Sequence, residues 1–422
     1  MTSEYTFNIP YEVRHILNVL EEHSFEAYIV GGCVRDHLLN REPKDYDVST
    51  SALPSEVQSC FIDYKVIETG LKHGTVTVVI DKVPIEVTTF RIDGEYADYR
   101  HPNSVVFTTT VEEDLSRRDF TINAMAYSEK RGLIDPFGGL SDIRSSLIRS
   151  VNTAEDRFKE DALRILRALR FASTLNYRID TDTAKAVFKC RELLKFIAVE
   201  RIVKELNGIL LGDNVKPILI DYAPVIYTII PELKGCLVDY AILDMIDCLP
   251  HEIVPRLAVF LSLVLDTDEN KTKPDDVEFC RSILVRLKYD NETTSEVLQL
   301  IQYRDISPIA DRCYVKRYLN LMGEKCLLNL LELKRAEAGF RGSFKEIYAE
   351  MYCMTVDIIN KRECYLMKDL AISGDNLIAL GIEQGRRIGD ILNQLLQDVI
   401  EEKIENIRTV LLEKVGSLKY SE

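Results

Sequence analysis

GGCVRDHLLNREPKDYD, running from Gly31 to Asp47, is the stretch on which the reading of this chain turns. Its double glycine lets the backbone turn tightly and approach a triphosphate, offering bare N–H groups to phosphate oxygens. Apolar Ala27-Tyr28-Ile29-Val30 reads as a strand running into Gly31 and Gly32. Val34 to Leu39 reads as a helix, and Tyr46 to Ser49 as a short strand beyond the turn around Pro43. Asp45 and Asp47 are two apart, so on that strand both point to one face. Two carboxylates on one face can hold Mg²⁺, which keeps several waters and recruits phosphate oxygens as its remaining ligands. With two ions, the attacking and leaving oxygens of an in-line phosphoryl displacement are both stabilised. A lone glycine pair is an ordinary turn, and a lone DxD an ordinary loop or capping cluster. Their order and proximity, after a strand, point to nucleotide polymerisation.

Outward from this stretch, residues 1–140 read as mixed α/β. An opening helix is expected over Tyr11–His23, and short strands over Val66–Thr69, Thr75–Ile80 and Ile85–Phe90, with turns at Gly70, Gly74 and Asp81. Glu86 is the only acidic residue of Val83–Phe90. It is the candidate third carboxylate near the metals, in a strand able to pair beside Tyr46–Ser49, although an exposed strand residue is the simpler reading. DPFGG at Asp135–Gly139 is a turn cluster that closes this head. Beyond it the pattern turns helical, with amphipathic helices expected near 156–175, 181–194, 198–211, 295–303, 324–338 and 388–403. The expected organisation is α+β: a catalytic head at 1–140, a helical neck at 141–210, a helical body at 211–335 and a helical tail at 336–422.

Composition bounds the function. A chain of 422 residues is long enough for about two to four domains. Apolar runs such as Leu257–Leu265 are far too short to span a bilayer, and the N-terminus has neither a basic segment nor an apolar one of the kind a secretion signal needs. Ten cysteines are scattered singly, with no CxxC and no Cys/His cluster at zinc spacing, as expected of free, mostly buried thiols in a reducing cytoplasm. A net charge of −15 argues against binding nucleic acid by bulk attraction. A local basic patch remains available: Arg157–Arg170 carries five basic residues against two acidic ones.

Three motifs in order carry a family resemblance: GGCVRDHLL–NREPKDYDVST, then RRDFTINAMA at Arg117–Ala126, then EDALRILRALRF at Glu160–Phe171. Together they resemble the class II tRNA nucleotidyltransferases, the CCA-adding enzymes and their poly(A) polymerase relatives, whose head is like that of DNA polymerase beta. The resemblance runs to about residue 210 and returns at Leu370–Leu396. It implies template-independent addition of C, C and A to the 3′ end of tRNA from CTP and ATP, with the tail meeting tRNA. Addition of A alone, to tRNA or as a poly(A) polymerase, stays open, as does a catalytically silent RNA-binding protein of the same fold. Intact Asp45, Asp47, Arg118, Asp161 and Arg164 argue against the last. None of the six histidines is followed by Asp, so the phosphohydrolase dyad of some bacterial relatives is not expected.

Roles follow residue by residue. Gly31 and Gly32 shape the turn, and Arg35 can reach back over the triphosphate as a bidentate donor unless it pairs with Asp36 or Asp47. Arg118 is expected at the start of a helix, where its guanidinium and free N–H groups both favour phosphate. Asp119 braces arginines or caps that helix, and Asn123 is placed for the nucleotide sugar. Asp161 and Arg164 are three apart on an expected helix and so are neighbours. The carboxylate accepts and the guanidinium donates, which matches cytosine (N4–H beside ring acceptors) and adenine (N6–H beside N1). Uracil and guanine present a carbonyl and a ring N–H at those places, and each mismatched buried group costs ~1–3 kcal/mol. Arg167 and Arg170 continue the ladder but turn away from it, so they brace the site or meet phosphates. Glu160, four before Arg164, and Arg157, four before Asp161, are placed to hold the base readers, while Leu163, Leu166 and Leu169 read as core. The polar loop Arg91–Val105 belongs to a region that relatives stopping after two C residues mostly lack, so its presence favours A addition.

Overall fold

In the computed structural model, which describes residues 5–94, 105–235, 240–265, 276–341 and 344–419, the Gly31–Asp47 stretch lies at one end of a mixed sheet. Strands β1 (Ala27–Val30), β2 (Asp47–Thr50), β3 (Lys65–Gly70), β4 (Thr75–Ile80) and β5 (Val83–Thr89) belong to it. Next in the chain, β6 (Arg91–Asp93) and β7 (Val105–Phe107) form a separate ribbon; β8 (Ala126–Ser128) and β9 (Gly132–Ile134) complete the main sheet. Its order is β3-β4-β5-β2-β1-β8-β9. Only β2 and β5 run parallel; every other neighbouring pair is antiparallel.

Alternation of buried and less buried residues builds these strands. In β4, Val76, Val78 and Ile80 are buried while Thr77 and Val79 between them are only half-buried; in β5, Ile85 and Val87 are buried and Glu86 is exposed. Helix α1 (Tyr11–Glu22) buries Val13, Ile16, Leu17 and Leu20, the spacing of one helix face. Tyr28 and Val30 from β1 and Ala126 from β8 join Phe90, Val111 and Leu115 in a closed core beneath the glycine turn.

Helices α2 (Gly32–Leu38), α3 (Pro54–Cys60), α4 (Val111–Ser116) and α5 (Gly139–Arg144) flank the strands; α6 (Ala154–Glu160), α7 (Leu163–Leu175), α8 (Thr181–Cys190) and α9 (Val199–Leu210) follow. The single helix expected over 156–175 is therefore two, broken at Asp161. That residue is extended, with φ −134° and ψ 103°, and its Oδ1 accepts the Leu163 N–H at 3.0 Å, capping α7. Leu163, Leu166 and Leu169 are core, as read.

The chain forms two compact units, Met1–Val238 and Asp239–Glu422. The second is helical where described. Its tail buries Leu377, Leu392, Leu395, Leu396, Leu411 and Val415 in one cluster, from helices at Gly374–Ala379, Arg386–Ile400 and Arg408–Lys419. Nine described cysteines are free thiols, five of them buried. Among the described residues, no helix is long and apolar enough to cross a membrane. Most of the polar loop, residues 95–104, lies outside the described residues.

Candidate functional site

Sheet register assembles the first part of the site. Val30, the last residue before the glycines, pairs with Asp47 across β1 and β2, and Asp47 pairs with Glu86 across β2 and β5. Residues paired directly in a ladder share a face, so the two carboxylates stand side by side. Asp45 does not share that strand: β2 begins at Asp47, and Asp45 lies in the preceding loop. The DYD pair therefore does not lie within one strand; Asp47 is paired across strands with Glu86, and the Asp45 charge also reaches it. Asp47 is reachable by solvent yet closely surrounded. Burial raises its pKa, the Arg118 charge works the other way, and Glu86 and Asp45 raise it further. Among the described residues no three His, Cys, Asp or Glu side chains converge into a ready-made metal cage.

Gly31 has φ +78°, a conformation that favours glycine, and its N–H donates to the Met125 carbonyl at 3.2 Å. A Cβ here would meet the Arg118 Nη1 at 2.6 Å, whereas one on Gly32 would make only ordinary contact with Arg35. The bare backbone leaves room for the Arg118 guanidinium beside the turn, and a side chain would displace it. Between the glycines and Arg35, burial pushes the Cys33 thiol up to about 12, so it stays protonated and serves packing.

Arg118 is not at a helix start. It follows α4, and a single 3₁₀ turn at Thr121–Asn123 comes after it. Its place is set by side chains: Nη2 lies 3.7 Å from Asp114 Oδ2, while its buried Nε has no hydrogen-bond partner. Asp114, missed in the sequence, is fully buried and also accepts from Arg117 Nε and Nη2 at 3.0 and 2.9 Å and from Ser49 Oγ at 3.3 Å. Its spacing of three and four residues before Arg117 and Arg118 was the available signal.

Arg35 takes the alternative given for it: Nε and Nη2 donate to Asp36 at 2.9 and 2.8 Å, and Nη1 donates to Asn123 Oδ1 at 2.7 Å. Asn123 in turn donates to Asp119 at 3.1 Å, and Asp119 accepts from Arg167 Nε at 2.8 Å. Asp119 thus braces arginines, one of its two expected roles. Burial opposes its charge, but Arg167, the Asn123 bond and Arg164 outweigh it and hold the carboxyl at about 2. A folded value below the ordinary 3.8 stabilises the fold above about pH 4, and that contribution fades as pH falls toward 2. Asp119→Asn should therefore lose about 2 kcal/mol at pH 7 and flatten the acid limb of stability. Urea unfolding at pH 7 and pH 3 checks this; identical acid sensitivity in both proteins would remove the assignment.

The base-reading pair is arranged differently from the expectation. The Arg164 backbone N–H donates to the Asp161 carbonyl at 3.0 Å, so the two remain one turn apart, but their side chains have separate partners. Arg164 donates to Glu160 Oε2 at 2.9 Å, as its four-residue spacing predicts, and to the carbonyls of Arg117 and Arg157 at 3.0 and 3.3 Å. Asp161 Oδ2 is held by Arg201 Nη2 at 2.8 Å, while Arg157 pairs with Glu160 and donates to the Ser116 carbonyl. Glu160, three residues on, takes the Arg157 guanidinium. Arg170 donates to Glu205 at 2.5 Å, and Arg167 approaches the same carboxylate at 4.0 Å. Arg201 and Glu205, both missed, sit four apart on α9, the interval that marks one helix face.

The comparisons with known proteins fit this assembly. Residues 27–149 match the Poly A polymerase head domain, residues 176–223 a model described as "Probable RNA and SrmB- binding site of polymerase A", and residues 271–415 a tRNA nucleotidyltransferase domain 2. The chain is 36% identical to the CCA-adding enzyme of Limosilactobacillus reuteri (strain DSM 20016) over 413 residues, 96% of each chain. It is 51% identical to that of Geobacillus thermodenitrificans over 197 residues, 47% of this chain and 48% of the other. The crystal structure of the Bacillus stearothermophilus CCA-adding enzyme in complex with CTP superposes with a TM-score of 0.78 at 29% identity, covering 97% of both chains. With a mixed-sheet head, a helical remainder and full-length identity of this order, the chain belongs to the family of CCA-adding enzymes, the tRNA nucleotidyltransferases.

Proposed function

We infer that the protein extends the 3′ end of tRNA by C, C and A without a nucleic-acid template, taking CTP and ATP and releasing pyrophosphate. The observation that carries this is the row Val30–Asp47–Glu86, set beside the Gly31 turn with Arg118 beneath it. The tRNA 3′ oxygen attacks the α-phosphorus; that P–O bond forms as the bond to the β-phosphate oxygen breaks, and pyrophosphate leaves with the electron pair. Asp47 and Glu86 stand as acceptors for the proton of the attacking hydroxyl. Arg118, whose Nε lacks a partner, is the candidate ligand of the phosphates, with Gly32 at the turn, and Arg35 joins it on exchanging Asp36 for a phosphate oxygen.

The carboxylates also fit Mg²⁺. Asp47 is raised by burial and by the neighbouring charges of Glu86 and Asp45, and a cation relieves that repulsion. An ion that completes its sphere with water and phosphate needs only one or two of them, so Asp45 and Asp47 suffice as protein ligands. When bound, the ion supplies charge neutralisation of the triphosphate and of the developing oxyanion.

We assign the catalytic head to residues 1–140, the base-reading neck to 141–210, the body to 211–335 and the tRNA-binding tail to 336–422. The last strand of the main sheet ends at Ile134; beyond it the described residues are mainly helical, with one short parallel pair of strands at Leu147–Ile148 and Arg178–Ile179. Asp161 and Arg164 read the base edge, with Glu160 holding Arg164; Arg157, Asp119, Asn123, Arg167 and Arg170 support them. A cytoplasmic setting fits the free thiols and the nucleotide substrates. Addition of A alone is the less favoured reading, since the relatives matched over nearly the whole chain are named CCA-adding enzymes.

Nucleotide omission tests the assignment. On tRNA lacking all three terminal residues, CTP alone should add two residues, ATP alone none, and both together three. Incorporation confined to ATP on tRNA already ending in CC would establish A-only addition instead.

A further inference from the structure

Three arginines crowd one aromatic ring. Phe171, on α7, is 6% exposed, and the guanidinium carbons of Arg170, Arg35 and Arg167 lie 4.3, 5.2 and 5.3 Å from its ring centroid. Phe120 meets it edge-on, with centroids 5.8 Å apart and planes at 81°. Cations within about 6 Å of a ring centroid are drawn to the negative face of its π system. Around the ring runs a polar circuit: Arg35 to Asn123 to Asp119 to Arg167 to Glu205 to Arg170.

The acids of this circuit balance much of the charge, but each touches only one or two of the arginines. The ring meets all three. Arg35 comes from the helix after the glycine turn, Arg167 and Arg170 from α7, so the ring joins the phosphate end of the site to the base-reading helix. A leucine of similar volume would fill the space and offer no negative face to guanidiniums that repel one another.

We propose that Phe171 is a positioning residue of the nucleotide site: its π face holds Arg35 and Arg167 in the orientation that an incoming triphosphate meets. The inference rests on the reading of Arg35 as a phosphate ligand.

The test replaces Phe171 in the full chain by mono-, di- and trifluorophenylalanine, which drain the ring face with little change of shape. KM and kcat for CTP are measured on tRNA ending before C74, with thermal melting alongside and Arg35→Ala as the parallel variant. Expected are a stepwise rise in the CTP KM, reaching about tenfold at the trifluoro ring, and a kcat within about twofold. Arg35→Ala should raise the same KM. A flat KM across the fluorinated series, with Arg35→Ala still raising it, overturns the proposal and leaves the nucleotide site standing. If Arg35→Ala leaves the KM unchanged as well, the reading of Arg35 falls and this inference falls with it.

Discussion

Asp47→Ala should abolish incorporation of CTP and ATP alike, by on the order of 10³-fold or more, while leaving the fold intact. Both nucleotides share one triphosphate chemistry, so the loss cannot be selective. The fold survives because Asp47 opens β2 at the solvent-accessible end of the sheet, whereas Val48, Ser49 and Thr50 behind it carry the burial. Its carboxylate is also disfavoured there, by burial and by Glu86 and Asp45. Removing it relieves repulsion, and the melting temperature should hold or rise. Asp45→Ala should lose activity in the same way. Near-normal turnover in both variants with Mg²⁺ present would contradict the metal assignment.

Asp161 carries the second large effect, on choice rather than on rate alone. Asp161→Ala removes the acceptor that favours the amino group of C and A and the repulsion that rejects the carbonyl of U and G. The ratio of CTP to UTP use should fall by about tenfold or more, roughly 1.4 kcal/mol of lost discrimination. Because Asp161 also caps α7 and holds Arg201, alanine disturbs local structure too. Asp161→Asn separates the two roles: its amide oxygen can still accept from Leu163, but its NH₂ offers a donor where the base needs an acceptor. Arg164→Ala should weaken C and A use while leaving part of the rejection of U in place. Single-nucleotide incorporation with all four NTPs, on tRNA ending before C74, measures these profiles. An equal slowing of every nucleotide by Asp161→Ala would make Asp161 a brace and place base reading elsewhere.

Local signals were legible and distant ones were not. The strand–glycine–helix–DYD order is written in adjacent residues, and Glu86, the only acidic residue of Val83–Phe90, lies as expected in the strand beside Asp47. The expectation of a helix opening at Arg118 failed because the periodic residues of VEEDLS precede the arginines: the helix ends before Arg117 instead of starting at Arg118. The break at Asp161 carries no Gly or Pro to announce it. It comes from a side-chain oxygen competing for the Leu163 N–H, and an Asp inside an apolar-periodic run does not reveal whether it will do so. The partners of the arginines lie farther still. Asp119 meets Arg167, Arg170 meets Glu205 and Asp161 meets Arg201 across 48, 35 and 40 residues, and only the packing of α7 against its neighbours brings them together. Nothing local in the sequence marks Phe171 as the neighbour of three arginines.

One measurement bears on the central claim most directly: sequencing the 3′ ends made by the protein from tRNA ending before C74, with all four NTPs and no template present. A site that reads base edges with its own side chains should yield ends that stop at CCA, with U and G below about one in ten at each step. Ends carrying runs of A, or U and G at the frequency of C, would contradict it.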